Sequence, residues 1–313
     1  MITGRAGFSR LVPGVATRVA HGSTRRVVHG STRRVVHGSA THDVGAIVIN
    51  VRVSDSSLEA ELLAVARAAA QAAADELVPR FGGDGRGVQS KSSPTDLVSE
   101  ADVEAERAIR RVLAERRPQD AILGEEGGAT GEGELRWVID PLDGTTNFLF
   151  GVPQFAVSVA CEDTDGGLVG VVLDPIRQEA FSATRSGAAE LNGEPIHSSR
   201  QDDLSVCLVS TGFGYEADVR ARQAEVLRRV LPRVRDIRRA GAAALDLCWA
   251  ACGRYDAYYE RGLKLWDRAA GQLIAARTGL TVELLPPRGD EPEGILIAPP
   301  AVAGELMGLV LSE

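Results

Sequence analysis

Apolar residues recur at helical spacing soon after residue 55: Leu58, Leu62, Val65 and Ala69 fall on one face, with Ser56 and Ser57 placed before them as cap candidates. The pattern predicts a helix that ends near Pro79, ahead of the glycine-rich run 82–87. A second helix is expected after Pro94, through Val103, Ile109 and Leu113 to Pro118, with Asp102 near its start. Short apolar runs then predict strands at 121–123, 137–139, 155–161, 168–173 and 179–183, the last two flanking a Pro-containing turn as in a hairpin. Farther on, the pattern gives strands at 206–210, 256–259 and 280–284 and helices at 218–231, 242–251 and 266–278. Strands and helices mix without regular alternation, which predicts a layered α+β fold over a doubly wound parallel sheet.

Residues 20–39 break this picture, reading AHGSTRRV, VHGSTRRV, VHGS with a period of eight and no amphipathic face. The expected organisation is a disordered extension over 1–54 and a catalytic domain over 55–313. The Arg-rich, acid-poor leader imitates an organellar transit peptide, and it equally fits a variable extension or a misassigned start.

Charge sharpens the division. The net charge is -8, yet residues 1–50 hold seven arginines against the single acid Asp43, which leaves the remainder at about -14. An acidic body argues against a nucleic-acid partner, and no run approaches the ~18 apolar residues that span a bilayer. It suits a protein that gathers divalent cations before an anionic substrate. Cys161, Cys207, Cys248 and Cys252 form no CxxC pair, so a reducing cytoplasm is expected, with Cys248 and Cys252 in the core. His21, His29, His37 and His42 lie in the extension, which leaves His197 alone in the body and removes chemistry built on several histidines.

The densest chemical signal is Asp140-Pro-Leu-Asp-Gly-Thr-Thr-Asn147, directly after the apolar run 137–139. Two carboxylates three residues apart at a strand end can converge, and Pro141 fixes the turn between them. Gly144 lets backbone approach a ligand, and Thr145 and Thr146 bring hydroxyls where a helical turn can hold phosphate. Gly124-Glu-Glu-Gly127 closes another apolar run, and 258–267 leads from a strand into a helix with Asp267 in its first turn. Taken singly, these acids also read as a turn cap, a solvated loop and a helix-dipole acid. Together, without cations, Glu125, Asp140, Asp143 and Asp267 would repel by ~4 kcal/mol for each pair about 4 Å apart at an effective dielectric near 20. An all-oxygen site of this kind is what Mg²⁺ prefers.

Four motifs carry a likeness: 91–102 (KSSPTDLVSEAD), Gly124-Glu-Glu126, 137–147 (WVIDPLDGTTN) and Trp266-Asp267. In residue type, order and spacing the chain resembles the inositol monophosphatase family over roughly 57–285. The resemblance implies a layered α-β-α-β-α sandwich of the sugar-phosphatase type, with 55–200 binding metal and phosphate and 201–313 binding substrate. It implies that Glu125, Asp140, Asp143, Asp267 and the Leu142 carbonyl bind two to three Mg²⁺ ions, most of the same groups also facing the substrate. Gly144 and Thr145 would hold the phosphate, and Thr145 with Asp102 and Glu125 would orient the attacking water. Gly241, Ala242, Ala243 and Glu260 match positions that contact the alcohol portion. A homodimer is implied as well, and the segment Thr211–Tyr215 looks like the bacterial, particularly actinobacterial, branch. The chain departs from the family pattern at Ser99-Glu100, positions expected to face away from the metals.

Lysine occurs only at Lys91 and Lys264 in a chain otherwise based on arginine. A compact ammonium at Lys91 suits neutralisation of the carboxylate cluster, and chance retention accounts for it as well. The expected activity is Mg²⁺-dependent hydrolysis of a small phosphate ester by in-line attack of water, with inositol 1-phosphate first. Histidinol phosphate, fructose 1,6-bisphosphate and adenosine 3′,5′-bisphosphate are the alternatives within the superfamily. A binding or regulatory protein that keeps the fold without the chemistry is the rival from another class.

Overall fold

The chain 313 residues long is described by a computed structural model over residues 53–82, 89–90, 97–289 and 291–312. Lys91 and the repeat segment lie outside the described residues.

Helix α1 (Val53–Leu77) is followed by the short antiparallel pair β1 (Gln89–Ser90) and β2 (Leu97–Val98), then by helix α2 (Glu100–Arg116). Strands β3 (Ala121–Gly124), β4 (Gly128–Thr130) and β5 (Arg136–Asp143) precede the short helix α3 (Thr145–Leu149). The run β6 (Ala156–Asp163), β7 (Gly166–Asp174), β8 (Glu179–Thr184), β9 (Glu190–Leu191) and β10 (Glu194–Pro195) completes an eight-stranded sheet. A five-stranded sheet follows from β11 (Leu208–Thr211), helix α4 (Ala217–Val230), β12 (Asp236–Arg238), helix α5 (Ala243–Ala251) and β13 (Ala257–Arg261). Helix α6 (Leu265–Ala276), β14 (Thr281–Leu285), β15 (Gly294–Ala298) and helix α7 (Pro300–Leu311) close the chain.

The large sheet runs in the order β10-β9-β8-β7-β6-β5-β3-β4 and is antiparallel except where β3 lies parallel to β5. The small sheet runs β12-β11-β13-β15-β14, with β11 parallel to both neighbours. Alternate residues of one strand serve different layers. Trp137 and Ile139 pack with α1 and α2, while Val138 between them packs with α5 and α6. Likewise Tyr258, Ile295 and Ile297 of the small sheet face α5 and α6, and Tyr259, Leu296 and Ala298 face α4 and α7. Both sheets are thus covered on both faces, the α-β-α-β-α layering expected from the sequence. This is why their central strands read as continuous apolar runs and not as alternation.

Several local expectations shift. Ser56 and Ser57 sit inside α1, because the helix extends back to Val53. Helix α2 starts at Glu100 with Ser99 as its cap, later than the position after Pro94, because Leu97–Val98 pairs with β1. The strand expected at 206–210 begins at Leu208, after a 3-10 turn that Asp203 caps by accepting the Ser205 N–H. Strand β15 and helix α7 escaped the sequence reading; the apolar run 294–298 and Pro300 at the first turn of α7 are the signals that mark them.

Helix α6 approaches the large sheet over Gly170 of β7, where an added Cβ would lie 2.9 Å from both the Cα and the carbonyl oxygen of Ala270. Backbone cannot step aside as a side chain can. Gly170→Ala is therefore expected to destabilise the chain by about 1–3 kcal/mol, seen as a lower denaturant midpoint at unchanged m-value. An unchanged midpoint would contradict this packing.

Candidate active site

The parallel pairing of β3 with β5 aligns their carboxyl ends. Gly124 lies opposite Ile139, and the Glu125 N–H donates to the Ile139 carbonyl at 3.3 Å, so Glu125 and Asp140 leave the sheet side by side. Strand β5 then loses register with β6 between Asp140 and Asp143. Such a bulge re-aims side chains, and here the Leu142 N–H turns back to donate to Asp140 Oδ1 at 2.9 Å. Gly144 follows at φ 95°, ψ 34°, in the left-handed region. A Cβ on it would also stand 2.9 Å from the Gln154 carbonyl oxygen. The turn this permits delivers Thr145 to the start of α3.

The later half of the chain closes the other side. Asp143 accepts the N–H groups of Ala243 at 3.1 Å and Ala244 at 2.7 Å, the first amides of α5, where helix partial charge favours an anion. Asn147 Nδ2 reaches the carbonyl oxygens of Gln154, Ala240 and Gly241 at 2.7, 2.9 and 3.2 Å. Asp267, in the first turn of α6, accepts the Lys264 N–H at 2.6 Å. Glu260 on β13 accepts the Tyr258 hydroxyl at 2.6 Å.

These elements surround a cavity of about 350 Å³, within the ~300–1,000 Å³ usual for small-molecule sites. Of the residues expected from the sequence, Glu125, Asp143, Gly144, Thr145, Gly241, Ala243, Glu260 and Asp267 line it. Asp140, Leu142, Asp102 and Ala242 are buried and do not line it. Lys91 lies outside the described residues. Phe213, Arg239 and Trp266 also line the cavity; Trp266 and Phe213 fall within segments that resemble the family, and nothing in the sequence singles out Arg239.

Burial dominates the electrostatics. It raises Asp140 well above the usual carboxylate range, helped by the charges of Glu125, Asp143 and Asp267. Asp267 is raised well above that range by burial first, then by Asp143 and Glu125. Asp143 is pushed up to about 7 by burial, against the pull of the Ala244 and Ala243 amides. The three acids and Glu125 thus feel one another's charge.

Helix α2 supports the site from below. Asp102 is fully buried, and one of its oxygens, Oδ2, takes the Ser99 N–H at 2.8 Å and the Ser99 hydroxyl at 2.6 Å. Its other oxygen, Oδ1, stands 2.9 Å from Thr145 Oγ1, which also lies 3.1 Å from the Leu142 carbonyl oxygen. Ser99, at a position expected to face away from the metals, is the helix cap and touches the carboxylate that meets Thr145. One turn on, Glu106 accepts the N–H groups of Glu126 and Gly127, both at 2.8 Å, and holds the turn that carries Glu125.

A profile described as the inositol monophosphatase family matches residues 58–304. The chain is 46% identical over 237 residues to inositol-1-monophosphatase SuhB of Mycobacterium tuberculosis, covering 72% of this chain and 82% of that protein. The chain belongs to the inositol monophosphatase family. The crystal structure of the extragenic suppressor protein suhB from Bartonella henselae superposes with a TM-score of 0.74 at 35% identity, over 80% of this chain and 98% of that one. A Pseudomonas aeruginosa relative, 47% identical over 191 residues, covering 59% of this chain and 70% of that protein, carries the name Nus factor SuhB.

The groups that the resemblance assigns to metal offer oxygen only, four carboxylates and the Leu142 carbonyl, a donor set that suits a hard cation. Among the described residues no three His, Cys, Asp or Glu side chains are grouped as a metal site in this geometry.

Two outcomes follow from this geometry. Ser99→Ala removes a donor from Asp102, so turnover is expected to fall roughly tenfold with KM little changed, the loss of about one charge-assisted hydrogen bond. Ser99→Thr should restore it; equal turnover in the alanine variant would disconnect Ser99 from the chemistry. The second concerns pH. Asp143 titrates near 7 when folded and near 4, about the ordinary aspartate value, when unfolded. Between those values the folded chain holds a proton that the unfolded chain has lost, so the metal-free protein should become less stable as pH rises from about 4 to about 7. Thermal melts in chelator across that window check it, and a Tm that climbs throughout would refute it.

Proposed function

We propose that the chain hydrolyses the phosphate monoester of a polyol, inositol 1-phosphate first, with two to three Mg²⁺ ions as cofactor. The observation that carries the reading is the approach of Glu125, Asp143, Asp267 and Thr145 to one cavity, with Asp140 buried within reach of those acids' charges and Asp102 buried against Thr145. In it, 55–200 is the metal and phosphate part and 201–313 the substrate part, and the working state is a cytoplasmic homodimer. No described helix is long and apolar enough to cross a membrane.

The chemistry asked of the chain's own groups is positioning. Thr145 donates its proton to Asp102, which leaves its hydroxyl oxygen as acceptor for a water. Glu125 takes a second hydrogen bond from that water, so its lone pair is aimed at phosphorus in line with the departing alkoxide. Gly144 and Thr145 receive the phosphate at the start of α3, and Glu260 takes hydroxyls of the alcohol. Lys91 offsets the summed negative charge. Bound by the four acids, Mg²⁺ would supply positive charge to the phosphoryl oxygens and acidify the water.

The name of the Pseudomonas relative favours a second reading, a regulatory protein on this fold. Phosphate release from inositol 1-phosphate, histidinol phosphate, fructose 1,6-bisphosphate and adenosine 3′,5′-bisphosphate, with and without Mg²⁺, separates the two. Release that needs Mg²⁺ supports the enzyme; no release from any ester by folded protein favours the regulator. Asp140→Asn is expected to lower turnover roughly 100-fold or more at limiting Mg²⁺ while leaving Tm equal or higher, since it removes like-charge repulsion from a buried site. Near-normal turnover in that variant would remove Asp140 from the metal site.

A further inference from the structure

The segment after β12 brings one group into the cavity that the phosphatase reading leaves unused. Arg239 is exposed, lines the cavity, and stacks its guanidinium 5.9 Å from the ring centroid of Phe213. It stands beside Gly241, where a Cβ would run into Arg239 Nη1. Among the described residues it has neither a hydrogen bond nor an ion pair. Arg261 in the same cavity contrasts with it, since Arg261 is buried and commits Nη1 to the carbonyl oxygens of Pro286 and Pro292 at 2.9 and 2.8 Å.

Arg239 is not a locked counter-ion of Glu260 either. The Glu260 carboxylate is engaged by the Tyr258 hydroxyl, and Arg239 acts on it only through space, lowering its pKa against the larger upward push of burial. A guanidinium braced on an aromatic face, open to the substrate and free of protein acceptors, offers a planar fork to an anion. The reacting phosphate is assigned to Gly144 and Thr145, and the cavity lining sets the acids Glu125, Asp143, Glu260 and Asp267 against Arg239, Arg261 and the exposed Lys264. Of the two guanidinium groups, Arg239 is the one not committed to protein acceptors among the described residues.

We propose that Arg239 reads a second phosphate on the alcohol portion, so that a polyol bisphosphate gains relative to the monophosphate through this one side chain. The proposal rests on the phosphatase reading and deepens it. Inositol 1-phosphate and inositol 1,4-bisphosphate serve as probes with the wild-type chain, Arg239→Ala and Arg239→Lys. The ratio of kcat/KM for bisphosphate over monophosphate is expected to fall roughly tenfold or more in Arg239→Ala, mainly through KM, and less in Arg239→Lys, which keeps charge but not the fork. Calorimetric titration of inositol 1,4-bisphosphate with Ca²⁺ in place of Mg²⁺ should show a Kd weaker by a similar factor in Arg239→Ala. An unchanged ratio with an unchanged Kd would overturn the proposal, as would equal losses on both esters. If the wild-type chain hydrolyses neither ester, the phosphatase reading fails, and the Kd comparison still decides whether Arg239 binds the second phosphate.

Discussion

Four carboxylates brought near one another repel, and most of the surrounding structure answers that constraint. Glu125 and Asp140 are side by side because β3 and β5 run parallel, and parallel strands release their carboxyl ends on the same edge. Asp143 is offset by the β5 bulge onto the amides of α5, and Asp267 is held by its own helix start. Asp140, Asp143 and Asp267 are not paired with an arginine in the described ion pairs, while Asp163, Asp174 and Glu179 elsewhere each are.

The layering makes that proximity possible. Helices α1 and α2 cover one face of the large sheet and α5 and α6 the other, so acids emerging at its edge meet helix starts on both sides. Helix α2 gives Asp102 and Glu106 from successive turns, one facing Thr145 and the other pinning the Glu125 turn. A single helix thereby sets the spacing between the hydroxyl and the carboxylate assigned to one water.

Much of this was legible in the sequence, for stated reasons. The central strands announced themselves as apolar runs because both faces are covered, and the acids followed directly at their ends. The role of Ser99 was not legible: a helix expected from just after Pro94 would hold Ser99 inside it, and only the fold makes Ser99 the cap and brings its partner Asp102 against Thr145, 43 positions away. Arg239 was hidden for a different reason. In a chain so rich in arginine, one guanidinium without a protein acceptor looks like all the others until the lining of the cavity is known. Strand β15 enters the small sheet between β14, its neighbour in sequence, and β13, a second pairing that no local pattern encodes.

The clasp of Asn147 and Asp143 on residues 240–244 spans 93 to 101 positions of sequence. Contacts of that separation form late, because a long loop must close before they return any stabilisation. On a ribosome the strands that carry Glu125, Asp140 and Asp143 emerge well before the amides that receive Asp143 exist. During that interval the nascent chain carries its acids without the clasp, and their final arrangement waits for the start of α5.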